Sequence, residues 1–409
     1  MTFTKPVLIS GGGIASLLLA STLQRSNIPF IVFERDASPI FRAQGYRLRL
    51  SNEGLNAIEK ALSPEKWQKF WDTCGKTGGV GLVNIDPITG KPLDSVSDNN
   101  PGDNKPATKP PPEMLASRDG KVVGISRGDM RKVFLEGIED SVRWGHHVRS
   151  YELTPDGVRA VFADGSKSEE GCMLVGGEGI YSYVAKQLSG DKLKVYDLGS
   201  RGIHGQAPST AFKGLGEGVF LLIDEKTVPS GKIFLITNVR SGDKDDPNVI
   251  FGWTMVGSPG VIQPPNNNYT LVGKPAADIA KSLTKNWHPR FKPLFDNMVE
   301  SETAFWKITC SSPDGVPEWP NNPRVTVIGD AVHSMTPAGG IGANTAVRDS
   351  ELLGRLLAEA GEFKEGITEA YEKEMRIYAS EAVKTSFGQA HVMFGTSSEL
   401  NTVIEPRDV

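Results

Sequence analysis

The sequence predicts an α/β protein with a nucleotide-binding βαβ unit at its start, and two stretches carry this prediction. In the first, a short apolar run (residues 6–10) leads into three glycines and then into an apolar helical segment that begins at Ile14. In the second, a β-branched strand leads through Gly329-Asp330 into a turn rich in proline and glycine, which opens a helix near Ala343. In both, glycines let backbone N–H groups approach a ligand, and a helix N-terminus favours negative charge.

The first stretch has the spacing of a dinucleotide-binding fingerprint. Gly11 allows the tight turn, Gly13 lets the backbone reach a pyrophosphate, and Ser16 replaces the usual third glycine or alanine. The second strand ends in Glu34, about 20 residues on, where a carboxylate can bind the hydroxyls of an adenosine ribose. The alternative is a glycine turn in an α/β protein that binds nothing. The candidate cofactor-binding residues of this stretch are Gly11, Gly13, Ile14, Ala15, Glu34 and Arg35.

Composition narrows the function classes. The chain has 409 residues, of which 38% are hydrophobic and 23% charged, as in ordinary globular proteins with room for two domains. A net charge of −4 argues against a nucleic-acid partner attracted by basicity. Three widely spaced cysteines form neither a metal-binding nor a disulfide pattern, so we expect no metal site and a cytoplasmic protein. No apolar run reaches the ~18 residues of a membrane span, and the early first strand leaves no room for a signal peptide.

The two stretches together resemble the flavin-dependent monooxygenases of the p-hydroxybenzoate hydroxylase type, also called group A aromatic hydroxylases. The resemblance runs from about residue 5 to about residue 385. It implies that the first stretch holds the ADP part of FAD. It also implies that the Gly-Asp segment holds the ribityl and pyrophosphate region beside the flavin ring. The second stretch adds the cofactor-binding candidates Asp330, Gly340, Gly342, Ala343 and Asn344.

Two weaker matches to this family add further candidates. Residues 126–135 look like the family's Arg-x-x-Leu-x-x-x-Leu helix, from whose N-terminus Arg127 would reach the cofactor. The alternative is a surface arginine near a helix start. Residues 45–50 match the family strand that passes the flavin, with Arg47 and Arg49 on one face as diphosphate ligands or as solvated edge charges. The candidates from these two segments are Gly45, Arg47 and Arg127.

One motif departs from the family. The usual Gly-Ala-Asp-Gly appears here as Gly176-Gly177-Glu178-Gly179, so that a glutamate takes the acidic position. In the family this motif is thought to serve both FAD and the nicotinamide reductant. The departure leaves the mode of reductant binding open, and with it the choice between NADPH and NADH.

The resemblance implies a Rossmann-like FAD-binding domain with an inserted antiparallel β-sheet substrate domain and a C-terminal helical segment. Strand-like runs at 219–223, 232–236 and 249–255 support the inserted sheet. Residues 84–117 predict a long surface loop, or alternatively a mobile lid over the site. We expect an FAD-binding domain over 1–185 plus 311–350, a substrate-binding domain over 190–310, and C-terminal helices over 351–409.

The function implied by the resemblance is that of an FAD-dependent monooxygenase. NADPH or NADH would reduce FAD, and O2 would then give a C4a-hydroperoxyflavin that hydroxylates or epoxidises a small, largely apolar organic substrate, or inserts oxygen in the Baeyer–Villiger sense. An aromatic or secondary-metabolite substrate is expected, with no nucleic-acid or integral membrane partner and with a monomer or homodimer as the assembly. The alternatives are an FAD-dependent reductase or dehydrogenase without oxygen insertion, and a non-catalytic flavin-binding scaffold.

Catalytic candidates come from residues 199–205, which match the family's first substrate-domain strand. Arg201 could stabilise an oxyanion and His204 could act as a base that deprotonates a phenol or enol. The alternative for each is a hydrogen-bonded sheet residue. Aromatic residues at 234, 251 and 253 could line the pocket or belong to the core.

Overall fold

The computed structural model describes residues 3–39, 47–78, 82–93, 116–228, 231–240, 242–268, 271–397, 400 and 402–406. The strands are β1 (Val7–Ser10), β2 (Phe30–Glu34), β3 (Arg47–Leu50), β4 (Gly75–Thr77), β5 (Leu82–Ile85), β6 (Val122–Ser126), β7 (Val142–Trp144), β8 (Val148–Thr154), β9 (Gly157–Phe162), β10 (Met173–Gly176), β11 (Val195–Pro208), β12 (Gly218–Asp224), β13 (Ile233–Val239), β14 (Ile250–Gly257), β15 (Ala304–Ser311), β16 (Val325–Val327) and β17 (Val403–Ile404). The helices are α1 (Ile14–Arg25), α2 (Asn52–Ala61), α3 (Pro64–Thr73), α4 (Arg127–Leu135), α5 (Tyr183–Ser189), α6 (Lys274–Leu283), α7 (Lys292–Asp296), α8 (Asp330–His333), α9 (Gly342–Ala360) and α10 (Ile367–Phe394).

A parallel sheet in the order β16-β10-β1-β2-β7 forms the centre of the first unit. Its inner strands are apolar and fully buried because α1, α5 and the hairpin of β8 and β9 pack on the sheet, which keeps its faces covered as parallel sheets require. The carboxyl ends of β1, β2, β10 and β16 meet at one edge of the sheet. This edge therefore brings together the glycine turn after β1 and the Gly-Asp turn after β16, which lie at opposite ends of the sequence.

Helices α1 and α9 pack against each other over this sheet. The apolar residues of α1, such as Leu17 and Leu18, are fully buried, which is expected of a helix that contacts protein on several sides. A Cβ at Gly354 of α9 would collide with Thr22 of α1 at 2.5 Å, so a glycine is needed for this close approach. The two helices that follow the two glycine turns are thus in direct contact.

The second large unit is a sheet in the order β15-β11-β14-β13-β12-β5, with β17 added to β11. Its pairings are antiparallel except for β12 with β5. Alternation divides its side chains between two faces. One face, which includes Ile203, Phe251 and Trp253, packs on α6 and α7, whereas the other packs on α10 and on residues around Ala338. The predicted fold class, with an inserted antiparallel sheet and C-terminal helices, is confirmed.

The stretch predicted as a surface loop begins inside this sheet. Residues 84–85 belong to β5, and the buried Asp86 accepts backbone N–H groups in the turn that follows. Residues 94–115 of that stretch, and the candidate Gly45, lie outside the described residues. The division of the chain into three sequence ranges stays a prediction, and β5 shows that the larger sheet also takes a strand from the range assigned to the FAD-binding domain.

Cys74, Cys172 and Cys310 are buried free thiols. In the part of the chain that the structure describes, no helix is both long enough and apolar enough to cross a membrane. Within the same residues, no three or more His, Cys, Asp or Glu side chains are grouped so that they could hold a metal ion.

Candidate functional site

The turn after β1 is built so that only glycine fits. Gly11 has φ +90°, and a Cβ there would lie 2.5 Å from the carbonyl oxygen of Gly177. A Cβ at Gly12 would lie 2.9 Å from Oε2 of Glu34. Gly13 then caps α1, whose first turn carries no acidic residue and begins with Ile14. Open backbone N–H groups at an uncompensated helix N-terminus form an anion site.

The carboxylate of Glu34 is fixed beside this turn. Its Oε2 accepts the Gly12 N–H at 2.5 Å, and its Oε1 accepts the Asp36 N–H at 2.9 Å. The residue is only 8% exposed. Each carboxylate oxygen has more than one acceptor site, so Glu34 can hold the turn and still accept a ligand hydroxyl. Arg35, the next candidate, is half-buried at the end of β2.

Arg131 supports the same turn and was missed from the sequence. Its Nε donates to the carbonyl of Gly12 at 2.9 Å, and its Nη1 donates to the carbonyl of Pro39 at 3.0 Å. The side chain is 4% exposed and lies over the ring of Trp144. The only sequence signal was its position four residues after Arg127, on the same face of α4.

Asp330 lines the cleft between the two glycine turns. It follows Gly329, whose φ of +62° turns the chain out of β16. Asp330 has exposed surface, yet burial among the surrounding protein raises the pKa of its carboxyl, while His333 and Arg127 oppose that rise. The carboxylate of Asp330 is thus accessible to a ligand although protein surrounds it, as in an interior cleft. Arg127, at the start of α4, is close enough for its positive charge to oppose the rise in the pKa of Asp330, and its contact with the cofactor stays a prediction.

The second glycine turn leads into α9. Gly340 has φ +64° and lies against Arg49, and Gly342 and Ala343 follow it half-buried at the start of the helix. The Asn344 side chain donates to the carbonyls of Gly340 at 2.9 Å and Arg49 at 3.0 Å, and it accepts the N–H of residue 51 at 2.8 Å. Asn344 therefore holds the turn in place, whereas the sequence assigned it directly to the cofactor.

Glu178, the departure from the family pattern, is engaged within the protein. It accepts the Ser182 hydroxyl at 2.7 Å and the N–H of Val184 at 3.4 Å, which ties it to the start of α5. Burial raises the pKa of its carboxyl, and the Ser182 hydrogen bond partly offsets this rise. Its carboxylate thus caps a helix beside the Gly11 turn.

His204 lies on the face of the larger sheet that packs toward the Gly-Asp segment. Its ring stacks on Trp306 with centroids 4.7 Å apart and planes 4° apart, and its Nδ1 lies 3.0 Å from the hydroxyl of Thr254. Gly202 makes room for the indole, since a Cβ there would collide with it. Burial lowers the pKa of His204 to about 3. Such a weak base would retain a phenol proton poorly, which argues against the predicted role as a base, and that role stays a prediction.

Arg201 does not join His204, because the two residues lie on opposite faces of β11. Its Nη1 pairs with Asp197 at 2.7 Å, and Lys307 pairs with the same carboxylate at 3.2 Å. The predicted role of Arg201 as an oxyanion donor facing the flavin does not fit this placement. Two of the residues predicted to line the pocket, Phe251 and Trp253, also lie on the face that packs on α6 and α7, which we call the far face, and they belong to the core. Of the three predicted wall residues, only Phe234 lies on the face that packs on α10, which we call the near face.

A pair of arginines stands at the seam between the two units. The virtual Cβ of Gly75 would lie 2.7 Å from Nη2 of Arg47 and 2.9 Å from Nε of Arg240, so both side chains pass the same point. Burial and the charge of Arg240 lower the pKa of Arg47 to about 10. Among the described residues, the buried Nη1 of Arg240 has no hydrogen-bond partner, although its Nε pairs with Asp243 at 2.5 Å. Sequence reasoning missed Arg240, whose neighbour Arg47 is far away in the chain.

Known proteins share the sequence features of this site. A model of the FAD binding domain family matches residues 130–386. The chain belongs to this family. The two glycine turns predicted a flavin-dependent monooxygenase of the p-hydroxybenzoate hydroxylase type, and this prediction is confirmed. The cofactor is FAD.

Several of the curated relatives come from fungi. The dual O-methyltransferase/FAD-dependent monooxygenase elcB of Phaeosphaeria nodorum is 30% identical over 392 residues, which cover 86% of this chain and 40% of elcB. The FAD-dependent monooxygenase vrtH of Penicillium aethiopicum is 25% identical, with 99% of this chain and 96% of vrtH covered. The chain spans about two-fifths of the length of the first relatives that it matches.

Solved structures share the fold. HpxO of Klebsiella pneumoniae, solved with FAD and uric acid, superposes with a TM-score of 0.74 at 19% identity. The match covers 98% of this chain and 91% of HpxO. At this identity the similarity concerns the fold.

The residues of this chain fit FAD. A side chain at Gly11 or Gly12 would collide with the Gly177 carbonyl or with Glu34, so these glycines let the turn pack closely and leave the N–H groups of the first turn of α1 as a cradle for a pyrophosphate. Glu34 and Asp330 lie on either side of it as hydroxyl acceptors. The structure brings together the candidates of both glycine turns and Arg127, and it leaves Arg201 outside the group.

Proposed function

We propose that this chain is an FAD-dependent monooxygenase that consumes NAD(P)H and O2 and oxygenates a small, largely apolar organic molecule. The supporting observation is the position of one sheet face. His204, Trp306 and the apolar residues beside them face the segment that carries Asp330, so a substrate held on this face lies next to the cofactor site.

FAD, when bound, supplies the redox chemistry: it takes a hydride from NAD(P)H and activates O2 for transfer of one oxygen atom to the substrate. The protein has three tasks in this scheme. The glycine turns and Glu34 bind the cofactor's polar part. Asp330 and Arg127 orient it at the cleft. The apolar sheet face excludes water, which would otherwise divert the oxidant to hydrogen peroxide.

The stacked pair of His204 and Trp306 suits a flat, aromatic substrate. A neutral imidazole over an indole offers a rigid, weakly polar surface on which a further ring can stack. Ile236, on the same face, is 42% exposed and adds an apolar contact. His204 positions the substrate in this scheme and does not remove its proton.

The arginine pair at the seam offers positive charge for an acidic group of the substrate. The side chains of Arg47 and Arg240 pass the same point, and burial and the charge of Arg240 lower the pKa of Arg47, so an oxygen anion between the two guanidiniums would relieve their repulsion beyond what Asp243 already does. We therefore propose a substrate whose apolar ring system carries an acidic oxygen group. The names of elcB and vrtH support a monooxygenase role, and uric acid bound to HpxO is itself a small, acidic, planar molecule. A monomer or homodimer in the cytoplasm is proposed with it.

Stoichiometry tests the proposed function. The purified chain, reconstituted with FAD, is mixed with NAD(P)H and a panel of aromatic acids while O2, hydrogen peroxide and product mass are followed. We expect one NAD(P)H and one O2 consumed per oxygenated product, with water as the other product. NAD(P)H oxidation without oxygenated product for every compound would support the reductase alternative instead, and no flavin uptake at all would contradict the proposal.

A further inference from the structure

Two neighbouring residues of α9 bind the two glycine turns. Oδ2 of Asp349 accepts the N–H of Gly329 at 2.7 Å. The hydroxyl of Ser350 donates to the carbonyl of Ala15, in the first turn of α1, at 2.7 Å. Both side chains are fully buried. One turn of one helix thus contacts both halves of the FAD site.

The two bonds act at the points where small movements change the cofactor site most. Gly329 is the left-handed residue that directs Asp330 into the cleft. Ala15 follows the turn that offers N–H groups to the pyrophosphate. A Cβ at Gly329 would lie 3.3 Å from Cβ of Ala15, so the two turns lie side by side here.

Further hydrogen bonds fix the orientation of the Asp349 carboxylate. Besides Gly329, it accepts Nε2–H of His333 at 2.7 Å and the hydroxyl of Tyr378 at 2.6 Å. Burial would lower the pKa of His333, but the charge and hydrogen bond of Asp349 raise it overall. Three donors thus hold the carboxylate, which leaves it one orientation.

A buried ion pair is a weak source of stability, because well-packed apolar residues of similar volume often stabilise a fold as well or better. A buried network with a defined geometry is better explained by what it orients. We propose that Asp349 and Ser350 form a clamp, the α9 clamp, that sets the distance and orientation between the two halves of the FAD site. Both are positioning residues, and the inference rests on the cofactor site of the proposed function.

FAD titration of matched variants tests the clamp. Asp349→Asn keeps the size of the side chain but removes its charge, and Ser350→Ala removes one donor. The control for the first is Asp224→Asn, a buried carboxylate of the larger sheet that accepts from Trp287 and from two backbone N–H groups. The control for the second is Ser209→Ala, a fully buried serine whose hydroxyl donates to backbone carbonyls.

The readouts are the Kd for FAD from quenching of flavin fluorescence, the visible circular dichroism of the bound flavin, and the melting temperature of the apoprotein. We expect Asp349→Asn to raise the Kd by about tenfold or more, and Ser350→Ala by about threefold to tenfold, as the loss of a charge-assisted and a neutral hydrogen bond would suggest. The flavin dichroism should change in both clamp variants. The controls should lower the melting temperature comparably and leave Kd and dichroism within about twofold of wild type.

An unchanged Kd and dichroism in both clamp variants, at a melting temperature lowered as in the controls, would overturn the clamp and leave a structural role. Should Asp349→Asn fail to fold, Ser350→Ala alone decides between these outcomes. FAD titration requires no turnover. If the wild-type chain binds FAD but never forms oxygenated product, the proposed function is refuted and the proposal of the α9 clamp still stands.

Discussion

The edge of the parallel sheet that binds the cofactor and the near face of the larger sheet differ in the kind of group that contacts a ligand. At the edge, the ligand-binding groups are mostly backbone N–H groups of the first turn of α1, which follow glycines at which a side chain would collide with a neighbour. On the face, the groups that contact a substrate are side chains such as His204 and Trp306, whose environment depends on strand register. The first kind of site tolerates few substitutions, whereas the second can change its specificity by single substitutions and keep the fold.

The largest expected effect is at the edge. Gly11→Ala would force a left-handed residue to carry a Cβ 2.5 Å from a backbone oxygen. We expect FAD affinity to fall by more than about 100-fold, since the turn must open by several tenths of an ångström to relieve the clash. The matched control is Gly165→Ala, where φ is +83° but no atom lies within 4 Å of the new Cβ. It should lose about 1 kcal/mol of stability and keep its FAD affinity. Equal losses of FAD in both variants would mean that backbone strain and not the cradle is responsible.

Asp330→Ala ranks next. The carboxylate is desolvated in the apoprotein, so its removal should leave the melting temperature unchanged or slightly raised. FAD affinity should fall by about tenfold to 100-fold, the range for one lost hydrogen bond to a charged group. A calorimetric FAD titration beside a thermal melt measures both quantities. Full FAD retention would remove Asp330 from the cofactor site.

The same contrast explains what the sequence could predict. Gly11, Glu34, Asp330 and Gly340 could be named as candidates from the sequence because strand, turn and helix occur within a few residues of one another. Asn344 was found for the same reason, yet its partners on β3 gave it a supporting role that no local pattern contains.

The residues that were missed or misassigned depend on long-range contacts. Arg131 acts on Gly12, and Arg240 meets Arg47, through contacts that only the packed fold creates. Arg201 and His204 belong to one strand, and their odd and even positions already required opposite faces. Which face would meet the cofactor depended on the neighbouring helices, which the strand itself does not specify.

A third prediction tests the arginine pair at the seam between the two units. Arg240→Gln should weaken the binding of salicylate by about tenfold and leave that of salicylamide, its neutral analogue, nearly unchanged, because one charge-assisted contact is lost. Perturbation of the bound flavin's spectrum reports both. Arg143→Gln is the control, since this arginine pairs with Glu169 at the surface. Equal affinity of the wild-type enzyme for acid and amide would contradict an anion site at the seam.

The smallest effect concerns His204 and pH. Its pKa is lowered to about 3 in the folded chain, so below its ordinary value of 6.5 the unfolded chain binds more protons than the folded one. His204 therefore makes stability decrease as pH falls from about 6.5 toward 3. His204→Phe, which keeps a ring against Trp306, should flatten this part of the profile of melting temperature against pH. An unchanged slope would show that the ring is not desolvated.

The central claim is that the turns at Gly11 and at Asp330 form one FAD site. Hydrogen exchange of the apoprotein during FAD titration, read by mass spectrometry, tests it most directly. We predict that peptides covering residues 11–15 and 330–343 gain protection together, with the same FAD dependence, while peptides from β8 and β9 do not change. Protection of the first peptide alone, with 330–343 exchanging as in the apoprotein at saturating FAD, would contradict the claim.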